Sequence, residues 1–515
     1  MSSIKAFCKE NFIGQPEGFG VILYTEICEL FGRFGLTALL VLYLTSDLKF
    51  TDHNAFALYG AFTALIFIIP LIGGYYADKF LGYKSAITVG ISLMGLGNIL
   101  IAVPQFLSTF LNFSPNIANS SLYIGLAILA VGSGFFTPSL TALLGKLYHG
   151  KEKNRDNAFV MYYIAKNTGA LLAIIFCSLI GQAYGYPYAF ILSSAVMLSG
   201  LAVFSFNIKK LNHVIQKTNV HKTLPQTKNK KIPTTFIHSG VILALIIGVC
   251  FILLNHITNY LFIASIVIAI AVFAKLYINT EKSIQHHLNY ILLALIAMIV
   301  FSMFLGQGGT TLNLFIERII NRQVGNVTIP PSMFYALDPL FMLLFGGFVM
   351  HFLGKLKHKN ATTNSLNKLA FGLFVLCIGF LVFVIASQYA ITTSQKPSVF
   401  FVFLGYMIFP ISELAIMPIT VSLVTRLAPR GKDGLMVSFY LFGQGIASYL
   451  TGSFSKLGTV NFKITNLTSF IHAASIYHHI FLLSALSLLA AAIATIFYVK
   501  CTKQLKRPFL PVEQA

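Results

Sequence analysis

The sequence predicts an all-α membrane protein with fourteen transmembrane helices laid out as 6 + 2 + 6. Three observations predict it. The mean hydropathy is +0.78, and 56% of the 515 residues are hydrophobic while 10% are charged, a balance foreign to a soluble domain of this size. Apolar stretches of about 20 residues or more recur along the whole length, each long enough to cross hydrocarbon as a helix. The cations collect in alternate connections, as the positive-inside rule requires.

The first span, 17–46, is the most informative. It carries Glu26, Glu29 and Arg33, which at 100° per residue fall within about 60° of one another on a helix. Carboxylates in hydrocarbon are costly and usually mark a solute or ion path, so this stripe is expected to face a polar cavity. Acids stand where a cleavable signal would have a plain apolar core, and no small-residue cleavage site follows, so the span is expected to be retained.

Spans 54–77 and 85–107 are joined by a short turn holding Asp78 and Lys79. Spans 120–149, 156–184 and 187–208 complete a first six, and the fifth of these carries Lys166 and Asn167. A basic interruption from Lys209-Lys210 to Lys230-Lys231 follows and reads as a cytosolic linker over 209–233. Spans 234–255 and 259–278 hold no acid and look like a lipid-facing pair. Six more follow at 289–320, 331–353, 368–389, 397–427, 433–454 and 473–499, with Asp338 in the second and Glu413 in the fourth. The expected divisions are therefore a first bundle at 1–208, the linker at 209–233, a two-helix insert with its connecting loop at 234–287, and a second bundle with its tail at 288–515. Two six-helix halves about a central cavity are the layout of many secondary transporters.

The net charge of +21 invites a nucleic-acid reading, but its distribution answers it. Lys79, Lys84, Lys146, Lys151, Lys355, Arg426 and Arg430 fall on one side, against Lys49, Arg318, Lys396 and Lys456 on the other. This asymmetry places both termini in the cytoplasm and leaves no need for nucleic acid as a partner. The six cysteines show no CxxC or Cys/His ligand spacing, so neither a disulfide framework nor a metal is expected. The pairs His286-His287 and His478-His479 lie near helix ends, where neighbours point about 100° apart, a poor metal geometry. With no Walker loop, paired catalytic constellation or HExxH, neither an ATP-driven pump nor an enzyme is expected. No cofactor is expected.

Five local patterns carry a family resemblance. They are Glu26-x-x-Glu29; Gly73-Gly74-Tyr75-Tyr76-Ala77-Asp78-Lys79-Phe80-Leu81-Gly82; Tyr162-Tyr163-Ile164-Ala165-Lys166-Asn167-Thr168-Gly169; Gln307-Gly308-Gly309-Thr310-Thr311-Leu312; and Ser412-Glu413-Leu414 with Pro418 and Leu427-Ala428-Pro429. In this order the chain resembles the proton-dependent oligopeptide transporter family of the major facilitator superfamily. The resemblance implies that fold, a proton-coupled symporter of di- and tripeptides working by alternating access, gating at Asp78 and Lys79, and a substrate amine received by Glu413. The expected setting is a bacterial inner membrane, with a short peptide or zwitterion, protons and lipid as partners and a monomer as the unit.

The departures bear on mechanism. The arginine that the family places after its second glutamate is Leu30 here, the tyrosines beyond it give way to Arg33 and Phe34, and a further arginine position is Thr37. The fourth-helix Lys-Pro-Asn becomes Thr137-Pro138-Ser139, the seventh-helix glutamate becomes Gly306, and the eighth-helix Asn-Pro becomes Asp338-Pro339. Arg33 and Lys166 are expected to stand in for the missing cations, so Glu26, Glu29, Arg33, Lys166 and Asp338 form the expected proton-coupling set. Glu413, Asn167, Gln307, Tyr163 and Phe34 form the expected substrate set.

Each has a plainer alternative. Glu29 and Arg33 lie four apart and can neutralise one another, and Glu413 can serve a salt bridge across the bundle. Asp338 before a proline suits a kinked, cavity-facing acid or a locally hydrated helix. Asn167 and Gln307 can bind neighbouring helices, and Tyr163 can simply pack. A carrier of another amine-bearing or zwitterionic solute, or a transport-deficient sensor, would share the same fold.

Overall fold

Backbone N–H and C=O groups find no water in hydrocarbon, so the apolar runs close on themselves as helices. The computed structural model describes residues 15–111, 115–148, 152–217, 234–254, 258–282, 284–355, 361–429 and 432–504. The basic linker falls largely outside them, at 218–233, as do residues 505–515 of the tail. The first six spans are α1 Phe19–Thr37, carried on by Leu40–Leu42 and a π turn at Tyr43–Asp47; α2 Asp52–Tyr76; α3 Tyr83–Leu111; α4 Pro115–Leu147; α5 Glu152–Tyr184; and α6 Tyr186–Lys217. The apolar pair is α7 Thr234–Leu254 and α8 Thr258–Asn279. The rest are α9 Gln285–Leu305, α10 Thr311–Arg318, α11 Leu337–Lys355, α12 Ala361–Thr393, α13 Phe400–Arg426, α14 Asp433–Ser455 and α15 Leu467–Gln504.

Thirteen spans among the described residues are long and apolar enough to cross a membrane. The fourteenth crossing is α14, 23 residues long and more polar, which suits a helix whose side chains face a cavity. The chain is a multi-pass integral membrane protein.

Two spans differ from their expected form. The stretch 289–320 is not one helix, because Gly306–Gly309 tightens into a 3-10 turn and Thr310 leaves helical geometry at φ −127° and ψ −101° before α10 resumes. Three glycines within four residues supply little intrinsic helix stability there. Pro330 and Pro331 likewise start the next span as a 3-10 turn, Pro331–Ala336. Asp338 therefore sits in the first turn of α11, not at a kink within a helix. Pro339 costs no helix hydrogen bond at such a position, and the helix dipole favours an acid beside it.

Helices α7 and α8 stand largely outside the bundle and turn Leu243, Ile247, Ile263, Val267 and Ile268 outward, as lipid contact requires. The Tyr76 hydroxyl and His238 Nδ1 hydrogen-bond at 2.7 Å, tying α7 to α2. Stacking of Phe262 on Tyr449 at 4.1 Å ties α8 to α14.

At the end bearing Asp52, α2 and α14 meet through glycine. A Cβ on Gly452 would stand 2.4 Å from the Phe56 carbonyl oxygen and 2.7 Å from Gly60 Cα, so the approach tolerates no side chain. Replacing Gly452 with valine is expected to cost roughly 1–3 kcal/mol of overpacking and to separate the helices. A thiol-specific, membrane-impermeant label at Ala57→Cys should then react faster than in the parent.

Candidate functional site

The acidic stripe of α1 is held where hydrocarbon cannot reach it. Glu26 and Glu29 are 1% and 0% exposed. Arg33 Nε lies 2.9 Å from Glu29 Oε1, and Arg33 Nη2 donates to Glu29 Oε2 at 3.4 Å. The shorter approach is not aligned as a hydrogen bond, so it acts chiefly through charge. Lys166 Nζ reaches from α5 to within 3.5 Å of Glu26 Oε1 and lies 5.1 Å from the centre of the Tyr162 ring. Gly169 permits this approach, since a Cβ there would meet the Ile27 carbonyl at 2.6 Å. Each acid of the stripe thus has its own cation.

Two adjacent chambers open beside these pairs, with Arg33, Ile66 and Phe67 in the walls of both. The larger, about 780 Å³, runs from Arg33 and Lys166 past Thr137 and Thr141 to Lys146 and Tyr148 at the end where α1 begins. The smaller, about 260 Å³, lies at mid-depth between Arg33, Phe34 and Asn167 on one side and Tyr335, Asp338 and Glu413 on the other. The Asp338 Oδ1 atom is buried with no hydrogen-bond partner. Among the described residues no cation comes within ion-pair distance of Asp338 or Glu413.

The opposite end is sealed. Arg318 Nη1 and Nη2 donate to Asp52 Oδ2 and Oδ1 at 2.6 and 2.8 Å, the bidentate geometry that makes arginine–carboxylate pairs strong. Val460 N donates to the same carboxylate at 3.1 Å. Asp52 opens α2 behind the Thr51 cap, whose hydroxyl accepts from Asn54 N at 3.3 Å, and Arg318 closes α10. Each charge therefore suits the dipole of its own helix. Asn313 Nδ2 donates to the Ala38 carbonyl at 2.8 Å, and the Ser178 and Ser332 hydroxyls meet at 2.7 Å, adding two more ties between helices of the first six and helices beyond the insert.

The remaining expected residues scatter. Asn167 and Phe34 line the smaller chamber, though Asn167 Nδ2 also donates to the Tyr163 carbonyl at 3.1 Å. The side chain of Gln307 is buried, accepts from Ser455 Oγ at 2.9 Å and donates to the Thr451 carbonyl at 3.4 Å. It joins α14 to the broken span and is not part of the chamber wall, which Gly306 lines instead. Tyr163 is 40% exposed and stands outside that lining too. Asp78 and Lys79 lie in a π turn, Ala77–Leu81, at the open end, where Lys79 Nζ donates to the Tyr75 hydroxyl at 2.6 Å. Sequence reasoning missed Tyr59 and Tyr335 in the chamber wall and the Asp52–Arg318 clasp, whose partners are 266 residues apart. The available signal was one acid and one base at the same end of two separate spans.

The POT family model matches residues 84–471. Dipeptide and tripeptide permease B of Yersinia enterocolitica is 26% identical over 476 residues, 92% of each chain. The uncharacterized transporter YclF of Bacillus subtilis is 25% identical over 484 residues, covering 91% of this chain and 94% of that one. A solved bacterial homologue of the human drug peptide transporters PepT1 and PepT2 superposes with a TM-score of 0.78 at 23% identity, covering 95% of this chain and 99% of that one. Tetrameric PepTSo2 superposes at 0.77 and 22%, with the same coverage. These two likenesses are of fold.

Asp52→Asn leaves Arg318 with half its clasp and is expected to weaken the sealed end by roughly 3 kcal/mol. A cysteine at Ser46 should become more accessible to an impermeant reagent from that side. The double exchange Asp52→Arg with Arg318→Asp should recover part of the protection.

Proposed function

This chain belongs to the POT family, and on that premise we propose that it is a proton-coupled symporter carrying di- and tripeptides by alternating access across a bacterial inner membrane. The observation that carries the reading is the chamber itself. It is closed off by the Asp52–Arg318 clasp at one end, adjoins the larger chamber toward the other, and is walled by Arg33 on one face and by Asp338 and Glu413 on the facing one. A short peptide is a zwitterion, and these walls complement its two ends. Relatives named dipeptide and tripeptide permease, in Yersinia enterocolitica and Aliivibrio fischeri, match over 92% of this chain. The excess of cations on the side of the open chamber supports a cytoplasmic placement of that side, and of both termini with it. The chamber is built within one chain, so we assign function to the monomer.

In the mechanism, Glu413 receives the amino group of the peptide and Arg33 faces its carboxylate. Protons enter at Glu26 and Glu29. A proton on either acid releases its cation, and the freed Arg33 or Lys166 is then available to the substrate carboxylate. Loading thereby changes which end of the chamber is held shut, and transport follows from tighter binding to one state than to the other.

One observation favours a second solute class. The two cations nearest the facing acids, Arg33 and Lys166, are already held by glutamates, which weakens the carboxylate end relative to the amine end. An amine-bearing solute other than a peptide, an amino acid among them, is the alternative that this arrangement supports.

Uptake of labelled dialanine by proteoliposomes is expected to rise under an inward proton gradient and to fall at least tenfold in Glu413→Gln, because a charged hydrogen-bond partner is lost. Arg33→Ala and Lys166→Ala should uncouple, the variants exchanging peptide while losing gradient stimulation. Unchanged coupling in both variants would sink the assignment of these cations.

A further inference from the structure

The charges that line the chamber do not balance. Arg33 is held by Glu29 and Lys166 by Glu26, so these two cations of the first six helices are satisfied locally. On the facing wall Asp338 and Glu413 share one chamber. Among the described residues neither has a cationic partner, and Asp338 Oδ1 is buried with none of any kind. Tyr59 and Tyr335 stand in the wall of the same chamber. Rings beside paired acids suit ammonium groups, which they attract through their faces.

A neutral dipeptide brings one ammonium to this wall and leaves the second acid uncompensated. A second ammonium on the same residue would satisfy both. We propose that Asp338 and Glu413 form a twin-acid subsite selecting substrates that carry two ammonium groups close together, such as a dipeptide with lysine at its amino end. The inference rests on the peptide reading for the identity of the substrate backbone. It names the residue that departs from the family pattern, Asp338, as the determinant of selectivity.

The test compares Lys-Ala with Ala-Ala on the full chain, both as competitors of labelled dialanine in proteoliposomes and as ligands of the detergent-solubilised protein by calorimetry. Lys-Ala is expected to bind about tenfold more tightly, the scale of one hydrogen bond to a charged group. In Asp338→Asn the ratio of the two affinities should collapse toward one, whatever happens to the absolute transport rate. Equal affinities in the parent protein would overturn the proposal, as would a Lys-Ala preference that survives Asp338→Asn. A proton resident on one acid would give the first of these results. If neither dipeptide binds or is carried, the peptide reading has failed on its own terms, and 1,5-diaminopentane then decides. Binding of the diamine to the parent protein and its loss in Asp338→Asn would still support the twin-acid subsite, and no binding to the parent would overturn it.

Discussion

An ionised side chain has no place in hydrocarbon unless it is paired or wetted, and the architecture of this protein follows from meeting that constraint six times at mid-depth. Glu26, Glu29, Arg33 and Lys166 meet it by pairing across α1 and α5. Asp338 and Glu413 meet it by facing a chamber that solvent or substrate can enter. The opposite face of α1 packs against its neighbours through buried Cys28, Phe31 and Gly35, which fixes the direction in which its acids point. Polar cavity and apolar packing are thus two consequences of one helix register.

The two ends of the chamber are held by different physics. At the sealed end a bidentate ion pair and a backbone amide share one carboxylate, while Gly60 and Gly452 bring α2 against α14. Such a contact is strong when made, yet it can be lost whole when one helix group rotates, because short contacts and aligned charge pairs tolerate little displacement. At the open end the chamber wall is threonines, Lys146 and Tyr148. A carrier needs two states of comparable free energy, and an end sealed by a few directional contacts suits a switch between them.

Much of this was legible in the sequence. Hydropathy and cation asymmetry yield the crossings, because crossing hydrocarbon is a property of local composition. The stripe Glu26, Glu29, Arg33 is readable because three residues on one helix face need no tertiary information. Glycine and proline content hints at the breaks at Gly306–Gly309 and Pro331–Ala336, but the apolar run across each hides them, so the sequence leaves Asp338 between a kink and a locally hydrated helix where the structure has it opening a helix. Gln307 illustrates the other limit. A polar side chain between membrane helices has either a neighbour or a cavity, and only the packing of α14 reveals that Ser455 and Thr451 claim it. The Asp52–Arg318 clasp joins distant spans, and periodicity carries no information on such a pair.

The central claim is that peptide and proton cross together through this chamber. The most direct measurement is lumenal pH, read with a trapped dye in proteoliposomes that start with no proton gradient, after dialanine is added outside. Coupled entry is expected to acidify the lumen at a rate that rises with the dipeptide gradient. Dialanine entry with no change in lumenal pH would contradict the account.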